Sequence, residues 1–281
     1  MDVDKIIKDI RSLKIQGART ITIAALKTVK NVLETKGEKH FKELCDFFAE
    51  LRPTQSCLYN AMKMAKENPD GIQALINYFE NVDELIAKTW WHVIENGDII
   101  VTHCHSSEEM ALLKKAKEMG REFSVFVTET RPKMQGIKSA RELLESGIKV
   151  KYIVDDAVGF FKDKFTKMIV GCDSIKKEGI YNKIGTYLMA LMCKDNIIPV
   201  IFVGDSFKID ERKQIIVEMR DPREIIDPEK IKGAEVLNPA FDCTPWHLVT
   251  NLLTEQNCYS SWNDVLRELP KIKEGILKTH F

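Results

Sequence analysis

Thiol, carboxylate, arginine and hydroxyl side chains fall at the ends of five short apolar runs, and their types suit proton transfer on an anionic substrate. Residues 98–102 run into His103-Cys104-His105-Ser106-Ser107, and residues 123–128 into Glu129-Thr130-Arg131-Pro132. Residues 150–154 end at Asp155-Asp156, 167–170 at Gly171-Cys172-Asp173, and 197–203 at Gly204-Asp205-Ser206. Cys104 is a candidate for the reactive thiolate, which flanking histidines or a following helix N-terminus would favour. Asp173 is a candidate general acid or base, because burial at the mouth of a sheet raises a carboxyl pKa toward neutrality. Each has a plainer role, Cys104 as a small buried hydrophobe and Asp173 as a helix cap or turn aspartate. Three aspartates at strand ends (Asp155, Asp173 and Asp205) shift the balance toward chemistry. A metal site at His103-Cys104-His105 fails on geometry, since consecutive side chains of a strand point to opposite faces.

The cations are spread along the chain. Arg131 offers a planar fork for a phosphate, the alternative being a surface ion pair worth little. Asn182-Lys183-Ile184-Gly185-Thr186 sets a lysine at a predicted helix start, where free N–H groups seat anions. Gly17-Ala18-Arg19 and Lys208 add further basic contacts, with an ordinary exposed helix arginine as the competing role for Arg19. Several separated cations around one mouth suit a ligand with phosphates at both ends.

Short runs rich in Val, Ile and Phe, alternating with helical stretches, read as buried parallel strands. In open α/β sheets, ligands bind at the carboxyl ends of such strands. Crossover helices are expected over 107–119, 136–146, 157–165 and 182–193, as right-handed parallel connections require. Upstream there is no strand pattern, and apolar spacing predicts helices over 4–12, 20–33, 41–51, 54–66 and 71–96. Asn96-Gly97-Asp98 marks the change. The fold class is therefore α/β, with a helical N-terminal domain (1–95) followed by a Rossmann-like parallel-sheet domain (96–281). Past Asp205 the pattern weakens, with short strands expected at 215–218 and 236–237 and a last helix near 246–255.

Composition excludes several classes. Forty-two basic residues balance 42 acidic ones, so no electrostatic footprint for nucleic acid is present. Seven cysteines without a CxxC pair form neither a disulfide framework nor a zinc-finger pattern. Residues 1–5 are charged from the start and no uncharged run reaches membrane-spanning length. A cytoplasmic protein of a reducing compartment, without a membrane partner, is expected.

Gly17-Ala18, Leu58-Tyr59-Asn60, Glu129-Thr130-Arg131-Pro132-x-x-Gln135-Gly136, Gly171-x-Asp173, Asn182-Lys183-x-Gly185-Thr186-Tyr187 and Asp242-x-Thr244-Pro245 occur in that order. Together they resemble the superfamily of initiation factor 2B regulatory (alpha, beta, delta) subunits, methylthioribose-1-phosphate isomerase and archaeal ribose-1,5-bisphosphate isomerase. The resemblance spans nearly the whole chain. It implies a helical domain on a Rossmann-like one, and pairing of C-terminal domains into homodimers or homohexamers. The isomerases' catalytic cysteine and aspartate match Cys104 and Asp173, a pair the regulatory branch generally lacks. The methylthioribose enzymes carry Arg-x-Cys-Asn-Thr-Gly around the cysteine, and His103-Cys104-His105-Ser106-Ser107 looks more like the ribose-bisphosphate enzymes. Two departures stand out: the Arg-Gly-Ala loop reads Gln16-Gly17-Ala18, leaving Arg19 or Arg11 to substitute, and Cys172 replaces the usual alanine.

What the resemblance implies is aldose–ketose isomerisation of ribose 1,5-bisphosphate to ribulose 1,5-bisphosphate in AMP and nucleoside salvage. AMP is the expected activator, and no metal or redox cofactor is required. In that scheme Asp173 protonates the ring oxygen, and Cys104 takes the C2 proton or otherwise shuttles hydrogen, a direct hydride shift remaining open. Arg131, Lys183, Arg19 and Lys208, with Gly17 and Ala18, hold the phosphates, while Gln135 and Asn182 orient hydroxyls. The alternatives are a non-catalytic initiation factor 2B-like regulatory subunit, for which Cys104 and Asp173 are dispensable, and methylthioribose-1-phosphate isomerase.

Overall fold

A computed structural model describes residues 2–269 apart from Leu13 and Gln16. Five helices come first: α1 (Val3–Arg11), α2 (Ala18–Lys36), α3 (Glu38–Leu51), α4 (Ser56–Glu67) and α5 (Ile72–Trp90). Asp2 caps α1 by accepting from the Lys5 N–H. Gly37, at φ 83, makes the left-handed corner between α2 and α3 that a side chain would oppose. The α/β part follows as β1 (Ile99–Thr102), α6 (Ser107–Glu118), β2 (Ser124–Thr128), α7 (Gly136–Glu145), β3 (Lys149–Ile153) and β4 (Lys167–Gly171). It continues through β5 (Ser174–Ile175), β6 (Ile180–Lys183), α8 (Thr186–Asp195), β7 (Val200–Val203), β8 (Phe241–Thr244), β9 (Asn251–Leu253) and β10 (Cys258–Tyr259).

The main sheet has the order β10-β9-β7-β4-β1-β2-β3 and is parallel except for β10, as the apolar runs predicted. Strand alternation divides its side chains between two cores. Ile100, Val125, Ile169 and Ile201 join Ile21, Phe41, Phe48 and Phe79 of the N-terminal helices in one cluster. Val101, Phe126, Val170 and Phe202 face the other way, toward Met189 and Ala190 of α8. The N-terminal helices therefore share a hydrophobic core with one sheet face.

Several predicted elements differ. Residues 157–165 form no α-helix; 3-10 turns at Asp155–Val158 and Lys162–Lys164 carry the chain instead. Phe161 and Phe165 anchor this crossover on Phe126, with ring centroids 5.2 and 5.1 Å away. The helix expected from 182 begins at Thr186, because residues 180–183 pair in β6 and Gly185 turns the chain at φ 103. The last predicted helix is a 3-10 turn at Trp246–Leu248 followed by β9, which pairs with β7. The strands expected at 215–218 and 236–237 reduce to one bridge, Met219 to Pro239, and proline has no N–H to extend a ladder. An antiparallel sheet, β5-β6-β8, was not foreseen, since strands of two to four residues show no periodicity.

Candidate active site

A cavity of about 260 Å³ lies where the carboxyl ends of β1 and β4 meet the start of α2 and the segment between β7 and β8. Cys104, Asp173, Gln135 and Lys208 line it, as do Gly17, Ala18 and Arg19 from the N-terminal side and Asn182 and Lys183 from β6. Gln16, where related loops carry arginine, is outside the described residues. The sheet's alternation does not place these groups alone. Gly136 lets α7 start against β2, since a Cβ there would sit 1.8 Å from the Thr128 carbonyl oxygen. Gly171 does the same for Ser106, whose own Cβ would lie 2.3 Å away.

Cys104 takes φ 75, a left-handed conformation costing a non-glycine residue about 1 kcal/mol. The geometry is held by its N–H donating to Thr130 Oγ1 (2.9 Å) and its carbonyl accepting from Ser139 Oγ (2.8 Å). The thiol points at Gln135 Oε1, 3.4 Å away. Burial pushes its pKa up to about 11; Lys183 pulls the other way, and Asp173 adds to the rise.

The histidines do not activate it. His103 Nε2 lies 2.8 Å from the Ile184 carbonyl, which can only accept, so that nitrogen carries the proton and Nδ1 accepts from Thr128 Oγ1 at 2.6 Å. Burial lowers the His103 pKa and keeps it neutral. His105 spends Nε2 on Glu142 at 2.9 Å, and Glu142 also accepts from Lys114 at 2.6 Å. Sequence reasoning expected an activated thiolate; burial keeps Cys104 a thiol here. Iodoacetamide labelling of Cys104, followed by peptide mass spectrometry, is expected to be slow at pH 7 and to accelerate up to about pH 11. Rapid labelling at neutral pH contradicts this state.

Asp173 is raised above the ordinary carboxylate range by burial, against the opposing charges of Lys208, Lys183 and Arg52. No described residue donates a hydrogen bond to its carboxyl group; only its backbone N–H is engaged, by Tyr181 O at 2.8 Å. The other two strand-end aspartates are structural. Asp155 accepts the Thr130 and Arg131 N–H groups at 2.7 and 2.8 Å, and Asp205 accepts the Phe207 N–H at 2.9 Å.

The cations need two corrections. Arg131 does not line the cavity: it turns outward and donates from Nη2 to the Ile225 carbonyl at 2.9 Å. The loop set by Thr130 at φ 60 presents Pro132 and Lys133 inward instead. The start of α8 is not a free anion seat either. Asp242 accepts the Gly185 and Tyr187 N–H groups at 2.7 and 3.2 Å, while Lys183 rests over the Phe241 ring at 4.9 Å. Lys208 lines the cavity but is buried against Glu108, with Asp205 3.8 Å away. Arg19 pairs with Asp83 at 3.0 Å. Sequence reasoning missed Arg52, Lys138, Arg220 and Asn238, which also line the cavity. Arg220 and Asn238 come from a segment without helix or strand periodicity, where no sequence signal marks them.

The Initiation factor 2 subunit family model matches residues 14–259. The chain belongs to that family. A ribose 1,5-bisphosphate isomerase of Pyrococcus furiosus is 32% identical, over 95% of this chain and 94% of its own. Among solved structures, translation initiation factor eIF-2B of Pyrococcus horikoshii OT3 aligns with a TM-score of 0.80 at 28% identity, over 93% of this chain and 98% of that one. The 5-methylthioribose 1-phosphate isomerase of the same organism aligns with a TM-score of 0.73 at 25% identity, over 97% of this chain and 88% of that one. The two solved structures share the helical N-terminal part and mostly parallel sheet seen here. No helix among the described residues is long and apolar enough to cross a membrane.

Proposed function

We propose that this protein converts ribose 1,5-bisphosphate to ribulose 1,5-bisphosphate. The observation that carries the reading is one cavity lined by the Cys104 thiol and a protonatable Asp173 carboxyl, with cations on several sides. The similarity to an enzyme bearing that name supports it. A wall that includes Arg52, Lys133, Lys138 and Lys183 suits a second phosphate better than an apolar thiomethyl group.

The chemistry follows from the substrate. A phosphate on C1 closes the furanose, so the C1–O4 bond breaks only as O4 receives a proton, which Asp173 supplies. Cys104, as thiolate, takes the proton from C2 and the electrons form the C1=C2 bond of an enol. Return of that proton to C1, with loss of the O2 proton to Asp173, completes the ketose and restores both groups. The active state has one proton on the pair, held by Asp173. The pair reaches this state by transfer of the Cys104 proton to the Asp173 carboxylate. Its fraction is then constant between the two pKa values. Gln135 and Asn182 are placed to meet hydroxyls, and Lys183 to meet phosphate. The scheme runs on protons alone; AMP activation and assembly as a homodimer or homohexamer belong to the same reading.

The test is a side-by-side assay of ribose 1,5-bisphosphate and methylthioribose 1-phosphate, with and without AMP. Turnover of the bisphosphate is expected. Turnover confined to methylthioribose 1-phosphate moves the assignment to that isomerase, and none with either sugar favours a regulatory subunit of the kind the Pyrococcus horikoshii eIF-2B name describes.

A further inference from the structure

The segment from 210 to 240 forms one wall of the cavity through Arg220, Glu224 and Asn238, yet little core holds it there. Its regular structure is limited to 3-10 turns at Pro222–Glu224 and Pro228–Ile231 and the Met219–Pro239 bridge, and it exposes Ile216, Met219 and Leu237. Its attachment to the rest of the mouth is largely ionic. Glu218 accepts from Arg52 Nε at 3.0 Å and from Arg220 Nη1 at 2.8 Å. Glu224 accepts from Arg220 Nε at 3.2 Å and pairs with Lys133 Nζ at 3.2 Å. Thr54 adds two hydrogen bonds, to the Ile216 carbonyl (2.9 Å) and from the Glu218 N–H (3.1 Å).

Three cations thus converge on two carboxylates at the edge of a cavity whose other cations include Arg19 and Lys208, held by Asp83 and Glu108. Lys138 and Lys183 line the same cavity outside this cluster, Lys183 resting over the Phe241 ring. A phosphate monoester dianion carries about the charge of the two carboxylates together and offers oxygens that fit arginine forks. We infer that Glu218 and Glu224 hold the cations of a phosphate subsite, and that a substrate phosphate displaces them from Arg52, Arg220 and Lys133. Arg220 is then a specificity-determining residue for a substrate phosphate. The segment that carries it is released from its own carboxylates and held by the ligand instead. This inference rests on the sugar-bisphosphate reading for the ligand's identity, and on the ion-pair geometry alone for the exchange.

Isothermal titration calorimetry with inorganic pyrophosphate and with ribose 1,5-bisphosphate separates the two. Removing an internal competitor tightens binding: Glu224→Gln, and independently Glu218→Gln, are expected to bind both ligands about tenfold more tightly. Arg220→Gln is expected to weaken both about tenfold, with Arg220→Lys recovering part of the loss. A merely structural carboxylate predicts the opposite sign for the glutamine variants. Weaker or unchanged binding of both ligands to both glutamine variants, with melting temperatures near wild type, overturns the exchange. If pyrophosphate shows the exchange while the bisphosphate fails to bind, the subsite stands and the substrate assignment falls. Turnover of the bisphosphate with KM unaltered by Glu224→Gln and Arg220→Gln sinks the subsite and leaves the assignment intact.

Discussion

Asp173→Asn is expected to lower kcat by about 10³-fold while leaving binding of the sugar bisphosphate within a few-fold of wild type. An amide keeps the size and polarity of the carboxyl but cannot deliver a proton to the ring oxygen. The pH profile of the wild type sharpens the test. Activity needs one proton on the Cys104–Asp173 pair, so kcat/KM falls in acid below the Asp173 pKa, where both groups are protonated. It falls again in alkali above about 11, where the pair has lost both. Burial lifts the acid limb above the ordinary carboxylate range. A variant with unchanged kcat removes Asp173 from the chemistry.

The second large effect is on stability. Lys208→Met is expected to cost about 3–5 kcal/mol, measured by urea denaturation, because it leaves the buried Glu108 carboxylate without its counter-charge. Lys208 is 2% exposed, Glu108 3% and Asp205 0%, so water cannot replace the ammonium. Burial works to raise the Glu108 pKa, but Lys208 and Ser106 hold it down at about 2, so the carboxylate is charged and dependent on that partner. Removing Lys208 also takes away the strongest of the charges that lower the Asp173 pKa, so the acid limb of activity moves to higher pH. A change below 1 kcal/mol would mean that Glu108 simply takes up a proton at little cost.

Much of this arrangement is legible in the sequence because one rule generates it. Short continuous apolar runs such as 167–170 read as strands buried on both faces, and buried parallel strands deliver their next residues to a common edge. That places Cys104 and Asp173 at one mouth before any side chain is seen. The rule cannot say which way a side chain turns once the strand ends. Arg131 and Asp155 sit at equivalent strand ends, yet a left-handed Thr130 and two backbone hydrogen bonds to Asp155 direct both into holding a loop. Nor can it supply the state of the thiol, which depends on burial and on both histidines being engaged elsewhere. Arg52 and Arg220 were invisible for a different reason. They are brought together by Glu218, 166 residues from Arg52 in sequence, on a segment whose position follows from ion pairs and not from hydrophobic periodicity.

The central claim is that Cys104 and Asp173 isomerise a sugar bisphosphate, and a phosphorus NMR time course tests it most directly. Ribose 1,5-bisphosphate incubated with the purified protein should lose its anomeric phosphate signal as two primary phosphate signals of ribulose 1,5-bisphosphate grow in. Cys104→Ser, folded by circular dichroism, should leave the spectrum unchanged. An unchanged spectrum with the wild-type protein, with and without AMP, or equal conversion by Cys104→Ser, contradicts the account.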